Sequence, residues 1–190
     1  MLINIVLRSL TLVILIIWRI YWFLHAKEAA IKKPKIITKS RLFEKILLVL
    51  VGGYVIGNLI GFVIFPFNNL LFQMIGFILV IIGFTEAIIA RKTLDDNWTE
   101  CHEYQVKKNH ELITNGIYRY VRHPIYSAAL LMVSGALLVS GSFTFIFGLI
   151  IIFIACEVSA QREEKILTKN FDKKYIEYKK TTKKFIPFVY

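Results

Sequence analysis

The side chains in this sequence whose types and spacing could do chemistry fall into two clusters. The first is the run Gly116-Ile117-Tyr118-Arg119-Tyr120-Val121-Arg122-His123-Pro124-Ile125-Tyr126, where a polar connection enters an apolar segment. The second is Arg162-Glu163-Glu164, directly behind another apolar segment. Each has an ordinary structural explanation: interfacial Tyr and Arg form belts, Pro opens helices, and paired carboxylates neutralise nearby lysines. What favours a site is their juxtaposition. The two apolar segments that carry them are separated only by Gly141 and Ser142, so they should form a tight antiparallel helical hairpin that sets His123 beside Glu163. A site there, partly in water and partly in lipid, suits a reaction between a polar cofactor and an apolar substrate. Glu157 is placed to line the same cavity. Glu86, inside an apolar run where an ionised carboxylate is expensive unless paired, is expected to pair with a basic residue near Arg91. Other catalytic constellations are missing, with no GxSxG, HExxH, Walker loop or strand-borne GxGxxG. Cys101 and Cys156 lack metal or disulfide spacing, and His25 and His102 read as solvated loop residues.

The elements that must position these residues are helices in lipid. At 190 residues, 56% apolar and with a mean hydropathy of +0.59, the chain reads as a single domain over residues 1–190, too apolar for an ordinary soluble fold. The length excludes a six-stranded dinucleotide fold, and 19% charged residues with long uncharged runs exclude a disordered chain. Five runs approach the roughly 20 residues that cross hydrocarbon, over 2–24, 46–65, 70–90, 125–140 and 143–160. The expected fold is therefore an all-α integral membrane protein with five transmembrane helices and a tail over 161–190. The first run lacks a basic leader and carries Arg19, so it reads as a retained span and not as a signal peptide.

A formal charge of +11 would suggest nucleic acid in a soluble protein, but its placement argues otherwise. Seven Lys and Arg lie between Lys27 and Lys45, six between Arg91 and Arg122 and nine from Arg162 to Lys184. None lies in the two short loops, so the basic connections face one side, with the N-terminus outside and the C-terminus cytoplasmic. The charge then meets membrane lipids, with no nucleic acid as partner. In the tail, Leu167, Phe171, Tyr175 and Tyr178 recur at helical spacing with Lys165, Lys169 and Lys173 on another face. That pattern predicts an amphipathic helix, either lying on the membrane surface or packed on the ends of the spans. Gly116 punctuates the preceding connection, Pro124 should start the fourth helix, and Glu103 to Ile113 is expected to be extended.

These residues resemble the isoprenylcysteine carboxyl methyltransferase family and its relatives, the phospholipid methyltransferases. The likeness runs in order over about half the chain: Asp96-Asn97-Trp98-Thr99, His110-Glu111-Leu112-Ile113, Gly116-Ile117-Tyr118 and Arg122-His123-Pro124-Ile125-Tyr126, then Glu163-Glu164 with Leu167. Phe171-Asp172-Lys173-Lys174-Tyr175-Ile176-Glu177-Tyr178 and Phe185-Ile186-Pro187 resemble its closing pattern. The resemblance implies an enzyme that binds S-adenosylmethionine in a cytoplasmic pocket built from the last two connections, without a Rossmann fold or a metal. His110, Glu111, Leu112, Ile113, Tyr118, His123, Pro124, Ile125 and Tyr126 would contact the cofactor and Glu163 would hold its cationic end. His123, Arg122 and Glu163 would form the catalytic centre, with Arg162, Ser159 and Glu157 toward the acceptor. Methyl transfer to an ionised carboxylate is an in-line displacement that needs no strong base, so positioning and water exclusion supply most of the rate.

Two departures stand out. Members acting on prenylcysteine tend to carry an arginine four residues before the cofactor-binding glutamate, where this chain has Ser159, and Arg162 lies on another side of the helix. Asp172 replaces the family's glycine, a change a helix accepts. The first reading is carboxyl O-methylation of an isoprenylcysteine-like lipophilic or lipidated acceptor; the second is methylation of a phospholipid amine or other lipid head group. A neutral head group would need a proton-removing partner, for which His123 or Glu157 is the candidate. An NADPH-dependent membrane sterol-type reductase, with an ending not unlike Pro187 to Tyr190, and a non-enzymatic membrane module are the remaining readings.

Overall fold

A computed structural model describes residues 2–30, 39–63, 65–95 and 111–190. Over these the chain forms α1 (Leu2–Ala30), α2 (Lys39–Ile60), α3 (Leu70–Leu94), α4 (Pro124–Ser140), α5 (Phe145–Phe171) and α6 (Lys173–Thr181), with one 3₁₀ turn at Gly116–Arg119. The helix limits have local causes. The Asn69 side chain accepts a bond from Phe72 N at 3.2 Å and so starts α3. Pro124 occupies the first turn of α4, where its missing N–H is no loss, and Gly141 ends that helix at φ +68°.

Among the described residues, α1 over Leu2–His25, α3 and α5 are long and apolar enough to cross a membrane, whereas Val49–Ile60 and Pro124–Ser140 are shorter apolar helices. The chain is a multi-pass membrane protein. Several expected limits shift. The second apolar run stops being helical at Ile60, because Gly61 takes φ +117° and Phe65 φ +52°. The fifth begins at Phe145 and continues beyond residue 160 to Phe171 as one rod of 27 residues. His25 lies within α1, not in a loop, with Nδ1 2.8 Å from the Tyr21 carbonyl oxygen. Of the stretch expected to be extended, only 111–113 is described, and it is not helical; Asp96 to His110, with Cys101 and His102, lies outside the described residues.

The two short connections meet at one end of the bundle, where Phe67 N donates to Gly141 O at 2.7 Å and Phe143 N to Phe65 O at 3.0 Å. Arg8 of α1 donates to the Ser140 carbonyl at the same end, placing a cation on the negative terminus of α4. The C-terminal ends of α3 and α5 and the start of α4 lie at the opposite end. α4 is held most closely by α3. A Cβ added at Gly135 would stand 2.4 Å from Gly76 O, and one at Gly76 would stand 2.6 Å from Gly135 O, so the two backbones touch where only glycine fits.

The expected amphipathic tail is not one helix. Asp172, at φ +44° and ψ −120°, breaks α5 from α6 and turns the chain back. Leu167, Tyr175 and Tyr178 are then buried together against Leu112 and Phe171, so the stripe caps the bundle end, as the second of the two expected placements has it, in two helices and not in one. The family's glycine at this position is also explained: the site is a positive-φ corner, not a helical residue, and the aspartate there is strained.

Gly135→Ala is expected to lower stability by about 1–3 kcal/mol in thermal unfolding of the detergent-solubilised protein. Gly53→Ala, whose added Cβ meets nothing within 4 Å, should be neutral or stabilising. Asp172→Gly should raise stability by about 1 kcal/mol in the same measurement, by relieving the positive-φ corner.

Candidate active site

Two features of the backbone bring the site together. Pro124 fixes the first turn of α4 and leaves His123 just ahead of it, at φ −128° and ψ 60°. The residues before α4 are pinned to the segment after α6: Arg122 N donates to Lys183 O at 2.8 Å, His123 N to Lys184 O at 3.1 Å, and Lys183 N to Tyr120 O at 3.2 Å. From the other side, α5 buries Ile152, Cys156, Ala160, Glu164 and Leu167, a stripe at spacings of four and three that continues past the apolar run. That stripe carries a carboxylate into the bundle end.

Glu164 is the hub. Its Oε1 accepts from Arg122 Nε at 2.9 Å and lies 3.4 Å from His123 Nε2, and its Oε2 accepts from Lys179 Nζ at 2.7 Å. Arg122 also donates through Nη1 to the Thr182 carbonyl, so one guanidinium ties α4's entry to both α5 and the chain leaving α6. Glu163, the carboxylate singled out from sequence, is less buried and meets the other face of the imidazole, with Oε2 3.5 Å from His123 Nδ1. Both ring nitrogens of the buried His123 therefore face carboxylates, an arrangement satisfied by a doubly protonated ring. Burial pushes this imidazole toward neutrality, but contact with Glu163 and Glu164 outweighs it and holds the pKa above its ordinary value.

Aromatic groups complete the surroundings. The Tyr126 ring lies 5.5 Å and the Phe185 ring 6.1 Å from His123, and Ser127 Oγ donates to Phe185 O at 2.7 Å. Tyr178 donates its hydroxyl to Tyr118 O at 2.6 Å, locking the 3₁₀ turn onto α6. The phenols of Tyr175 and Tyr178 are shifted upward, burial being the main cause, so both stay protonated. On the far side of α6 a cavity of about 800 Å³ is lined by Glu111, Leu112, Arg119, Phe171, Glu177 and Tyr178 among others.

The residues expected from sequence are distributed accordingly. Arg122, His123, Tyr126 and Glu163 come together, with Pro124 buried and Ile125 half-buried at the start of α4. Glu111 and Leu112 line the cavity, Tyr118 is fastened to its Tyr178 wall and Ile113 is half-buried nearby in the chain, while His110 lies outside the described residues. Ser159 and Arg162 are half-buried on α5, Ser159 one turn before Glu163. Glu157 is elsewhere than expected: its carboxylate accepts from Lys184 Nζ at 2.6 Å, Gln161 Nε2 at 2.8 Å and Tyr190 OH at 3.2 Å, so it docks the end of the sequence and lines neither this cavity nor the cluster. Glu86 is half-buried within α3, on the side of Ser127 of α4. Glu164, which the sequence groups with Glu163 without singling it out, and Lys179, which sequence reasoning missed, complete the cluster, and the buried stripe on α5 is the signal that separates Glu164 from its neighbour.

A family model described as phospholipid methyltransferase matches residues 71–174. The protein-S-isoprenylcysteine O-methyltransferase of Dictyostelium discoideum is 31% identical over 121 residues, covering 61% of this chain and 49% of that protein. The Saccharomyces cerevisiae protein of the same name is 30% identical over 120 residues, with the same coverage of 61% and 49%. The chain thus spans about half the length of the curated relatives it matches. Among solved structures, the eukaryotic intramembrane Ras methyltransferase, an isoprenylcysteine carboxyl methyltransferase, superposes with a TM-score of 0.68 at 19% identity, covering 98% of this chain and 68% of that one. That superposition shows a shared fold.

Removing the shared carboxylate by Glu164→Gln is expected to cost about 3–5 kcal/mol in unfolding free energy, because Arg122 loses its buried acceptor. Because the folded-state value of His123 is raised, its contribution is complete below about pH 6.5 and fades as pH rises through the raised value. The melting temperature should fall as pH rises above about 6.5, and His123→Gln should lose that part of the slope.

Proposed function

Because the chain belongs to the phospholipid methyltransferase family, whose model matches more than half of it, we propose that it transfers a methyl group from S-adenosylmethionine to a lipophilic acceptor at the membrane interface. The observation that carries this reading is the meeting of His123 with Glu163 and Glu164 at the end of α5, with a cavity of ligand size across α6 lined by Glu111, Glu177, Phe171 and Tyr178 and by the cations Arg119 and Lys174. The donor set fits the methyl donor. A molecule with an ammonium, a sulfonium and an adenine calls for carboxylates and flat apolar faces, which Glu111, Glu177, Phe171 and Tyr178 offer in the cavity and Glu163 offers in the cluster across α6. Glu163 would hold the cationic end, and His110 to Ile113, Tyr118 and His123 to Tyr126 would surround the rest. When bound, the group supplies an electrophilic methyl. The chain's own residues orient the partners and keep water out, with Glu164 fixing Arg122 and His123 in place.

The acceptor class follows from protonation. His123 holds its proton between two carboxylates and Glu157 is engaged by Lys184, so neither is placed to take a proton from a neutral head group. An ionised carboxylate needs no base. This supports carboxyl O-methylation of an isoprenylcysteine-like substrate, the chemistry named for the curated relatives. The second reading, methylation of a phospholipid amine, is favoured by the family model and by Ser159 at the position discussed above. In the proposed topology all five helices α1 to α5 lie in the bilayer, the basic end is cytoplasmic, the N-terminus is outside, and the acceptor enters sideways between helices.

In detergent, calorimetric titration is expected to show binding of S-adenosylmethionine and not of NADPH. His123→Ala and Glu163→Ala should each weaken it by at least about tenfold, Tyr126→Ala should weaken it less, and His25→Ala should leave it unchanged. Unaltered affinity in either of the first two variants overturns the assigned site. With tritiated donor, label in an S-farnesylcysteine analogue released by alkali as methanol indicates the ester, whereas alkali-stable label in phosphatidylethanolamine indicates the amine.

A further inference from the structure

Residues Phe185–Tyr190 form a turn in which Phe185 is buried in the bundle core beside His123, whereas Ile186, Phe188 and Val189 are covered by neither the site nor the core. Four of its five backbone N–H groups are bonded within it: those of Phe185 and Ile186 to Tyr190 O at 2.8 Å, and those of Val189 and Tyr190 to Ile186 O at 3.2 and 3.1 Å. Pro187 has no N–H to satisfy. These bonds take four donors away from water, which lowers the cost of bringing the turn's apolar side chains to the membrane interface. Its side chains point the same way, since Phe188 is 83% and Val189 71% exposed and Ile186 is exposed as well. Phe188 also sits at φ +65°, a corner where glycine or asparagine is the usual occupant of a turn in water. A bulky apolar residue that is strained and uncovered gains nothing from water.

Position supplies the partner. The Tyr190 ring lies 6.1 Å from that of Phe153 and its hydroxyl bonds Glu157, so the turn is level with a part of α5 that lies inside a candidate membrane span. Exposed Tyr120 stands 6.4 Å from the Phe188 ring, the placement of an interfacial aromatic, and Lys180 and Lys183 are exposed on the approach to the turn. We propose that this turn is a re-entrant anchor that dips Ile186, Phe188 and Val189 into the leaflet while Lys180 and Lys183 meet anionic lipid head groups. The anchor is independent of the proposed methyl transfer.

The test uses the full chain with Cys101→Ser and Phe188→Cys, the new thiol carrying an environment-sensitive nitrobenzoxadiazole dye, in vesicles of phosphatidylcholine with and without phosphatidylglycerol. Cys156 is buried, and Phe188 packs too little to threaten folding. Relative to the same dye at Lys169→Cys, exposed near the end of α5, we expect at least twofold stronger quenching by nitroxide-bearing lipid and twofold weaker quenching by acrylamide. Protection should drop in pure phosphatidylcholine and in Lys180→Glu/Lys183→Glu. Equal acrylamide access at the two positions overturns the anchor and leaves the turn as a face for a soluble partner. Full protection without phosphatidylglycerol overturns the head-group contacts.

Discussion

A single buried carboxylate governs the basic end of this bundle. Arg122, His123 and Lys179 come from two separate segments, one ahead of α4 and one on α6, and Glu164 of α5 receives all three. Charges brought out of water need a partner that is already in place, and an uncompensated one costs several kcal/mol. Here the partner rides on a helix whose phase is set by the packing of Ile152, Cys156 and Ala160 below it. The apolar contacts of α5 thus decide where three cations can settle, and with them the fold of everything after residue 171.

The scaffold beneath is stiff for a different reason. Gly76 and Gly135 allow the backbones of α3 and α4 to touch, and Arg8 closes the far end of α4 by answering the Ser140 carbonyl. The start of α4 is therefore located from below by close helix contact and from above by pairing of 120–123 with 183–184. His123 sits at the junction, held by backbone bonds on one side and by carboxylates on both ring nitrogens. A ring so held can position or attract, and it has little room to shuttle a proton.

Much of this was legible in the residues, and what was not has identifiable causes. The proximity of His123 and Glu163 follows from a two-residue link between apolar runs, a local feature that any reader of the chain can measure. The choice between Glu163 and Glu164 was hidden because hydropathy marks where a chain leaves lipid, not where a helix ends. Gln161 to Phe171 is polar but helix-forming, and extending the phase of Ile152, Cys156 and Ala160 through it points to Glu164. Glu157 was misread because its partners, Lys184 and Tyr190, are distant in sequence and approach only once the tail folds back. The corner at Asp172 escaped because aspartate fits a helix exterior, and its positive φ is imposed by the return of α6, a tertiary demand that overrides local preference.

The unbroken length of α5 has a further consequence. Its 27 residues, at about 1.5 Å each, make a rod of about 40 Å, against about 30 Å of hydrocarbon in an average bilayer. The surplus of roughly 10 Å corresponds to about seven residues, which counts back from Phe171 to the level of Glu164. Set upright with its N-terminal end at one face of the hydrocarbon, the helix would carry its charge cluster at the other face. In a membrane a few ångströms thicker an upright rod would bring the cluster below the boundary, so bilayer thickness would set how wet the cluster is.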